Sequence, residues 1–199
     1  MQKEDAIQVL LNAANYFEQQ GAGYKSWGKV EVVQIAIRLE NNDILLTNKN
    51  ASLASLTVSE IREEKNNSFF HGIFTKRKNI QVILLTQQEY ASTVRRDIPP
   101  ILDDQAQLLG VSVRIAKSEK DVEHSLCGRF ASILPDGKSI CIGNNMEEAY
   151  VAAQLLEKTS KAFIEAEYLG GAKSINKLEA WLMHKFYQFK YSKEANKNR

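Results

Sequence analysis

Helix-like and strand-like patterns alternate along this chain, and several of the strand-like runs stand in adjacent pairs. Apolar residues spaced three and four positions apart predict an amphipathic helix over residues 5–19. A β-branched run at 30–39 and an apolar run at 44–47 flank a polar turn, which predicts a hairpin. Since the helices must cover both faces of such a sheet, the pattern predicts a three-layer α/β/α sandwich with a central mixed, largely antiparallel sheet.

The middle and the end of the chain continue this alternation. Thr57 and Glu60 have the spacing of a capping box, which predicts a short helix over 57–63. A Pro-Asp-Gly-Lys turn at 135–138 predicts a second hairpin between 130–134 and 139–142. The remaining predictions are helices at 68–77, 88–95, 104–109, 118–127, 146–167 and 175–192, and strands at 80–86 and 111–115.

Length and composition predict one domain over residues 1–199, with a polar, basic tail that frays from about residue 193. A formal net charge of +2 gives no reason to expect a nucleic-acid or membrane partner. The sequence has no apolar run of membrane-spanning length and no N-terminal signal pattern, so we expect a cytoplasmic protein. Cys127 and Cys141 are either two reduced thiols or one bridge, and their spacing does not decide between these.

Four segments together carry a family resemblance through their order and spacing. In this order, they resemble the class II aldolase/adducin family, and in particular L-fuculose-phosphate-aldolase-like proteins. The resemblance covers roughly residues 5–170 and implies the same α/β/α fold. The segments are Asp43-Ile44-Leu45-Leu46-Thr47 with 56–61, His71-Gly72-Ile73-Phe74 with 77–80, Ile98-Pro99-Pro100, and 143–149.

The resemblance also implies where the reactive groups of such a protein would stand. Two zinc-binding histidines of the family fall on Leu85 and Gln87, and the third falls on Asp136. Leucine has no lone pair for a cation, and a neutral amide replaces imidazole poorly at zinc. The family's general acid/base falls on Asn67, whose amide cannot exchange a proton near neutral pH. The alignment therefore predicts a degenerate member with no catalytic residue, no bound metal and no cofactor.

A vestigial ligand pocket is the remaining site prediction. Arg38 matches an arginine of the family's phosphate-binding stretch, and it is either a ligand contact or a solvated charge on a strand. Lys49 and Asn50 match the small residues that follow the second strand. The full predicted set is Arg38, Lys49, Asn50, Asn67, Leu85, Gln87, Tyr90 and Asp136.

The last predicted helix mixes aromatic residues with lysines. Such interleaving is found in helices that bind nucleic acid or membrane surfaces, but the same spacing suits packing against a neighbouring helix or subunit. We favour packing, and expect a homo-oligomer, in which an apolar helix surface is covered. The family resemblance implies a tetramer.

Two hypotheses for function follow. The first is a pseudoenzyme: a class II aldolase/adducin-like domain without its zinc site and general acid/base, which serves as a non-catalytic binding or scaffold protein. Adducin-type members of the family permit this reading, because they keep the fold as an assembly module. The alternative is a lyase or isomerase that acts on a sugar phosphate or a related hydroxy-carbonyl compound with a rebuilt site.

Overall fold

The computed structural model describes residues 1–21, 27–49, 51–65 and 69–197, with side chains up to residue 190. Its strands are β1 (Val30–Arg38), β2 (Ile44–Thr47), β3 (Ile61–Glu64), β4 (Val82–Gln88), β5 (Arg114–Ile115), β6 (Ala131–Ile133) and β7 (Ser139–Gly143). Its α-helices are α1 (Lys3–Leu11), α2 (Ala13–Gly21), α3 (Phe69–Lys76), α4 (Asp103–Leu108), α5 (Val122–Ser125), α6 (Met146–Tyr168) and α7 (Lys177–Lys197).

The described strands form one sheet in the order β3-β2-β1-β4-β7-β6-β5. The neighbouring strands pair antiparallel except β5 and β6, which run parallel. Both predicted hairpins are present, because short polar turns join β1 to β2 and β6 to β7. The predicted mixed, largely antiparallel sheet is therefore confirmed.

Successive side chains of the strands alternate between two separate hydrophobic cores. Ile35, Ile37 and Leu84 point to one face, where they pack with α1, α2 and α6. Ile83 and Leu85 point to the other face, where they pack with α3 and α5. Since successive side chains of a strand point to opposite faces, this arrangement makes the three layers of the predicted α/β/α sandwich. We call the two sides the α6 face and the α3 face.

Two of the predicted helices are wrong. Residues 57–63 form a single 3₁₀ turn closed by the capping box of Thr57 and Glu60, and the chain then pairs with β2 as β3. Residues 88–95 contain only a 3₁₀ turn at Ala91–Thr93, since Gln88 still belongs to β4 and pairs with Val30. In both places pairing with a neighbouring strand takes backbone groups that a helix would need.

Shorter departures affect two more predicted helices. The helix expected over 5–19 is two helices, α1 and α2, with Asn12 between them. The helix expected over 118–127 is a 3₁₀ turn at Glu119–Asp121 followed by the short α5. Among the described residues, none of the helices combines the length and apolar character that crossing a bilayer requires.

Candidate functional site

Most of the described site residues meet at one end of the sheet. β4 ends there, and its pairing with β1 places Gln87 opposite Glu31 and Leu85 opposite Gln34. β2 ends at the same edge, because Thr47 bonds to Ile35 and Gln34 of β1, and Lys49 follows two residues later. We call this edge the β4 exit.

The β6–β7 turn also reaches the β4 exit. Thr86 of β4 pairs with Ser139 of β7, so the turn before Ser139 lies beyond the end of β4. Gly137 lies in the left-handed region at φ 85°, and a Cβ built on it would stand 3.3 Å from the Ser92 carbonyl oxygen. The structure thus brings the segment that carries Asp136 beside the segment that carries Tyr90.

The side chains at the three imidazole positions have different surroundings. Leu85 is 8% exposed and belongs to the apolar cluster on the α3 face. Gln87 points to the same face two residues later and is exposed. Asp136 is exposed in its turn, where it accepts bonds from the Lys138 backbone N–H at 3.1 Å and from the Lys138 ammonium at 2.5 Å. Burial alone raises the pKa of Asp136, but these bonds outweigh it and hold the pKa below its usual value.

This donor set does not fit a zinc ion. Zinc sites in proteins use imidazole, thiolate and carboxylate ligands, usually at least three of them. Only one carboxylate stands at these positions, and it is already paired with Lys138. Within the described ranges, no group of three or more His, Cys, Asp or Glu side chains is arranged to hold a metal ion.

Gln34 is a residue of the β4 exit that the sequence analysis did not single out. It is fully buried at a β-bulge in β1, and its amide nitrogen donates to the Thr47 carbonyl oxygen at 2.6 Å. Its amide oxygen has no hydrogen-bond partner among the described residues. An amide inside the apolar run of β1 was the available signal, because a buried polar side chain requires partners.

Glu157 was also missed, and it organises the α6 face of the β4 exit. It is fully buried on α6 and accepts hydrogen bonds from the backbone N–H of Tyr90 at 2.8 Å and of Ala91 at 3.0 Å. Burial raises the pKa of its carboxyl group, although these bonds oppose the effect. Beside it, the Gln88 amide donates to the Ala153 carbonyl oxygen at 2.6 Å. These contacts fix the backbone of Tyr90, whose half-buried ring lies 5.4 Å from the Lys161 ammonium.

Arg38 lies at the opposite end of β1 from the β4 exit. Its backbone N–H bonds to Gln81, just before β4 begins, so it stands roughly 20 Å from Gln87 at the usual rise of a strand. The side chain is 7% exposed, and its guanidinium packs over the Phe74 ring at 5.2 Å. The alternative in which Arg38 is a solvated strand charge is therefore wrong, and the structure does not bring Arg38 together with the other site residues.

Four carbonyl groups at and after the end of α3 accept hydrogen bonds from Arg38. They belong to Phe74 at 3.1 Å, Arg77 at 3.3 Å, Lys78 at 2.5 Å and Ile80. Burial lowers the pKa of the guanidinium. The contacts satisfy the Phe74 carbonyl in the last turn of α3, where helical partners are lacking, and carbonyls of the segment that leads from α3 to β4.

The remaining predicted site residues and the two cysteines differ in their exposure. Lys49 is exposed, and Asn50 and Asn67 lie outside the described residues. Cys127 is exposed and Cys141 buried, and both are free thiols. Burial raises the pKa of Cys141 to about 12, so this thiol is not a nucleophile at neutral pH.

A cleft of about 220 Å³ opens on the α6 face near the start of β1. Its wall includes Glu18, Lys29, Tyr150 and Gln154. The volume is below the roughly 300 Å³ at which small-molecule pockets usually begin. The cleft therefore adds no clear ligand site to the β4 exit.

Known structures share this architecture. An L-fuculose 1-phosphate aldolase superposes with a TM-score of 0.78 at 17% identity, over 94% of this chain and 98% of that one. The L-fuculose-1-phosphate aldolase of Thermus thermophilus gives 0.61 at 18% identity, over 83% and 100%. An aldolase II superfamily protein from Pseudomonas syringae gives 0.64 at 13% identity, over 91% and 84%.

Sequence comparison alone finds no such relation. No protein-family model and no curated protein matches the chain. Likenesses at these identities establish the fold and not the activity. The chain has the α/β fold of the class II aldolases.

Proposed function

We propose that this protein is a non-catalytic binding or scaffold protein built on the class II aldolase fold. The observation that carries the proposal is Leu85, which packs in the apolar cluster of the α3 face where the family resemblance assigns a zinc-binding imidazole. A leucine buried among aliphatic side chains stabilises the sheet and offers nothing to a cation.

The neighbouring positions support the same proposal. Gln87 offers a neutral amide, and the Asp136 carboxylate is held by Lys138. Asn67, at the position of the general acid/base, is an amide in the sequence. A proton-transfer step needs a group that titrates near the working pH, and an amide does not.

Zinc analysis of the purified chain tests the proposal. After dialysis we expect far less than one zinc per chain, because no three strong donors among the described residues meet at the β4 exit. Close to one tightly held zinc per chain would contradict the proposal. A weakly bound surface ion would be removed by the dialysis.

A gain-of-function variant tests the positions themselves. Leu85→His, Gln87→His and Asp136→His together should create measurable zinc affinity, because the β4 exit brings these segments to one edge of the sheet. The matched control keeps the first two changes and moves the third to Asp103→His on α4, which is exposed and belongs to another element. Circular dichroism checks that both variants fold. If both fold and bind zinc equally, the assignment of Asp136 to the site is wrong.

A rebuilt active site is the second candidate, and Gln34 is the observation that favours it. Its buried amide oxygen has no hydrogen-bond partner among the described residues, and its strand partner is Leu85. An unpaired buried acceptor is costly unless a ligand group or a water donates to it. Lys49 follows two residues after Thr47, whose carbonyl oxygen accepts from the Gln34 amide, so this edge offers a cation and an amide to a small polar ligand.

A turnover screen separates the two candidates. L-fuculose 1-phosphate, the substrate in the names of two of the similar structures, and other sugar phosphates are the first compounds to test. Lys158→Met is the control, because Lys158 lies on α6 and pairs with Asp104 of α4. Cleavage or isomerisation that Gln34→Leu abolishes and this control leaves intact would favour an enzyme. Absence of turnover with all of them would favour the non-catalytic protein.

A further inference from the structure

Three arginines lie near one another at the β5 end of the sheet, and among the described residues none of them forms an ion pair. They are Arg77, Arg114 and Arg129. The Nη1 atom of Arg77 donates to the backbone carbonyl oxygens of Leu126 at 2.6 Å and Arg129 at 2.7 Å, and its guanidinium packs over the Phe130 ring at 5.0 Å. Arg77 therefore stabilises the segment after α5, as Arg38 stabilises the segment after α3.

Arg129 is a buried cation that keeps part of its hydrogen-bonding capacity unused. It is 8% exposed, its Nε atom donates to the Ser112 hydroxyl at 3.0 Å, and its Nη1 atom donates to the Cys127 carbonyl oxygen at 2.6 Å. Its Nη2 atom has no acceptor among the described residues. Burial lowers the pKa of Arg129 and the charge of Arg114 lowers it further, whereas Cys127 and Asp97 act in the opposite direction.

Asp97 is the carboxylate near Arg129, and its hydrogen bond goes to another group. Its Oδ1 atom accepts from the backbone N–H of Ile115 at 2.9 Å, beside the bridge between Ile98 and Val113. Within the described part of the chain, Asp97 forms no ion pair with Arg129. The charge of Arg129 is therefore attracted to Asp97 without being bonded to it.

Arg114 lies on the edge strand β5 and points to the α3 face. Its neighbours Val113 and Ile115 belong to the core on the α6 face, so the side chain between them points to the opposite face. The Nη1 atom of Arg114 lies 3.3 Å from the Nε2 atom of the exposed His124. Since a guanidinium only donates, the imidazole nitrogen is the acceptor. A neutral imidazole here takes a position in which a negatively charged group would bind the arginine more strongly.

Ser112 joins the two arginines into one cluster. Ser112 and Arg114 are two positions apart on an extended stretch, so their side chains share a face about 7 Å apart. The Ser112 hydroxyl accepts from Arg129, and among the described residues its own proton has no acceptor. The cluster therefore offers unused N–H and O–H donors beside two positive charges. We call Ser112, Arg114, His124 and Arg129 the β5 cluster.

We propose that the β5 cluster binds a phosphate group, either as free phosphate or as part of a small molecule. A phosphate monoester carries a charge of about −1.5 to −2 and three acceptor oxygens. Planar guanidiniums bind such oxygens in pairs, so one phosphate can bridge Arg114 and Arg129. A carboxylate has only two oxygens and would leave one arginine without a partner. A nucleic acid chain is contacted by a row of cations along its backbone, and this cluster is one group wide.

The β5 cluster is separate from the β4 exit. Arg114 pairs with Ser132 of β6, Ser132 pairs with Ile140 of β7, and Ile140 pairs with Leu85 of β4. Three strand spacings make the backbone distance from Arg114 to Leu85 about 14 Å. The site therefore rests on different residues from the proposed function, and its test requires neither zinc nor turnover.

Nuclear magnetic resonance of the His124 ring provides the first test. The full chain is titrated with inorganic phosphate at constant ionic strength, and His124→Gln assigns the ring signals. We expect a saturable shift of these signals, because phosphate oxygens compete with the His124 ring for the N–H groups of Arg114.

Arginine variants test which groups bind the phosphate. In isothermal titration calorimetry, Arg114→Gln should weaken the phosphate affinity by about tenfold, because a charged pair of donors is lost. Arg114→Lys keeps the charge but not the planar fork, so it should weaken the affinity by about threefold. Arg62→Gln is the matched control, since Arg62 lies on β3 at the other edge of the sheet. It should stay within about twofold of the parent, and circular dichroism checks that each variant folds.

A phosphate monoester distinguishes the two sources of the ligand. Glycerol 2-phosphate is titrated in the same way as inorganic phosphate. Tighter binding of the ester would support a phosphorylated small molecule as the ligand, and tighter binding of inorganic phosphate would support free phosphate. Both binding modes should be weakened by Arg114→Gln.

Three results would overturn the proposal. The first is the absence of a saturable shift of the His124 signals up to about 20 mM phosphate. The second is an equal loss of affinity in folded Arg114→Gln and Arg62→Gln, which would indicate a general effect of net charge. The third is binding of a single-stranded oligonucleotide at least about tenfold tighter than either phosphate and lost in Arg114→Gln, which would assign the cluster to a nucleic acid chain.

Discussion

Two buried charges of opposite sign lie at the two ends of the sheet, and both form hydrogen bonds with backbone groups. Arg38 lies under the end of α3 and donates to four backbone carbonyls, whereas Glu157 lies under the β4 exit and accepts from two backbone N–H groups. Among the described residues, neither forms an ion pair with another side chain. Each charge is stabilised by the backbone groups that an element end leaves unpaired.

The comparison shows that a charged residue can match a functional residue in an alignment and still have a structural role. Arg38 matched a phosphate-binding arginine in the resemblance, while Glu157 matched nothing. In the structure both side chains stabilise a chain segment. Burial disfavours the charged form of each, so it lowers the pKa of Arg38 and raises the pKa of Glu157. Substitutions that remove one charge at a time can separate these roles.

The largest effect is expected at Arg38. Arg38→Met keeps most of the stem but removes a donor from four carbonyls, of which only that of Arg77 keeps a second donor, the Ile80 N–H, in the described contacts, so we expect a loss of about 4 kcal/mol in the free energy of unfolding. Urea denaturation measures it. Arg62→Met is the control, because Arg62 pairs with Glu64 at the surface and its loss should cost under about 1 kcal/mol. Equal losses would mean that the Arg38 contacts add little.

The second largest effect is expected for Glu157→Ala, which should lower the free energy of unfolding by about 3 kcal/mol. The reason is that the N–H groups of Tyr90 and Ala91 lose their acceptor in a buried site. The same denaturation experiment applies. Glu165→Ala on the same helix is exposed and should change stability very little. A loss at Glu157 no greater than at Glu165 would show that the two N–H groups find other partners.

The pH dependence of stability sharpens the same contrast. The pKa of Glu157 is raised above its usual 4.5 in the folded protein, so its contribution is complete below 4.5 and decreases as pH rises through the folded value. Glu157→Gln cannot titrate, so the stability difference between parent and variant should shrink as pH rises from about 4 to 7. Denaturation midpoints across this range give the stability difference. If that difference grows as pH rises, the pKa of Glu157 is lowered in the folded protein and not raised.

The smallest effect belongs to Gln87, which lies at the β4 exit but is exposed. Gln87→Ala should change the free energy of unfolding by less than about 0.5 kcal/mol, because its side chain holds no element end. Thr86→Val is the comparison from the opposite face, where the Thr86 hydroxyl is buried and bonds to Gln88 at 3.2 Å. We expect it to cost about 1 kcal/mol. A larger loss at Gln87 than at Thr86 would indicate contacts that the fold does not explain.

Periodicity was a good guide to the long elements and a poor one to the short ones. The patterns predicted α6, α7 and the β1–β2 and β6–β7 hairpins to within a few residues, because long stripes and strong turns are local signals. The capping box at Thr57 was real but closed only one turn. A local signal could not reveal that residues 61–64 would pair with β2.

The candidate site was predicted in part for the same reason. Alignment to a family pattern put Leu85, Gln87 and Asp136 in one place, and the strand pairing brings their segments to one edge. Gln34 and Glu157 were missed, because one polar residue in a strand or helix looks like any solvated one until its neighbours are known. Arg38 was placed with the others because the sequence does not show which end of a strand lies near the site.

The sequence by itself determined the types of residue at each position, and from them the alignment predicts that the aligned sites lack imidazoles and a titratable acid/base. It also determined the order of most helices and strands, since their apolar periods are written along the chain. Only the tertiary structure decided which charges are buried and what they hold. Burial depends on residues far apart in sequence, such as Glu157 with Tyr90 or Arg38 with Ile80, and packing brings these together.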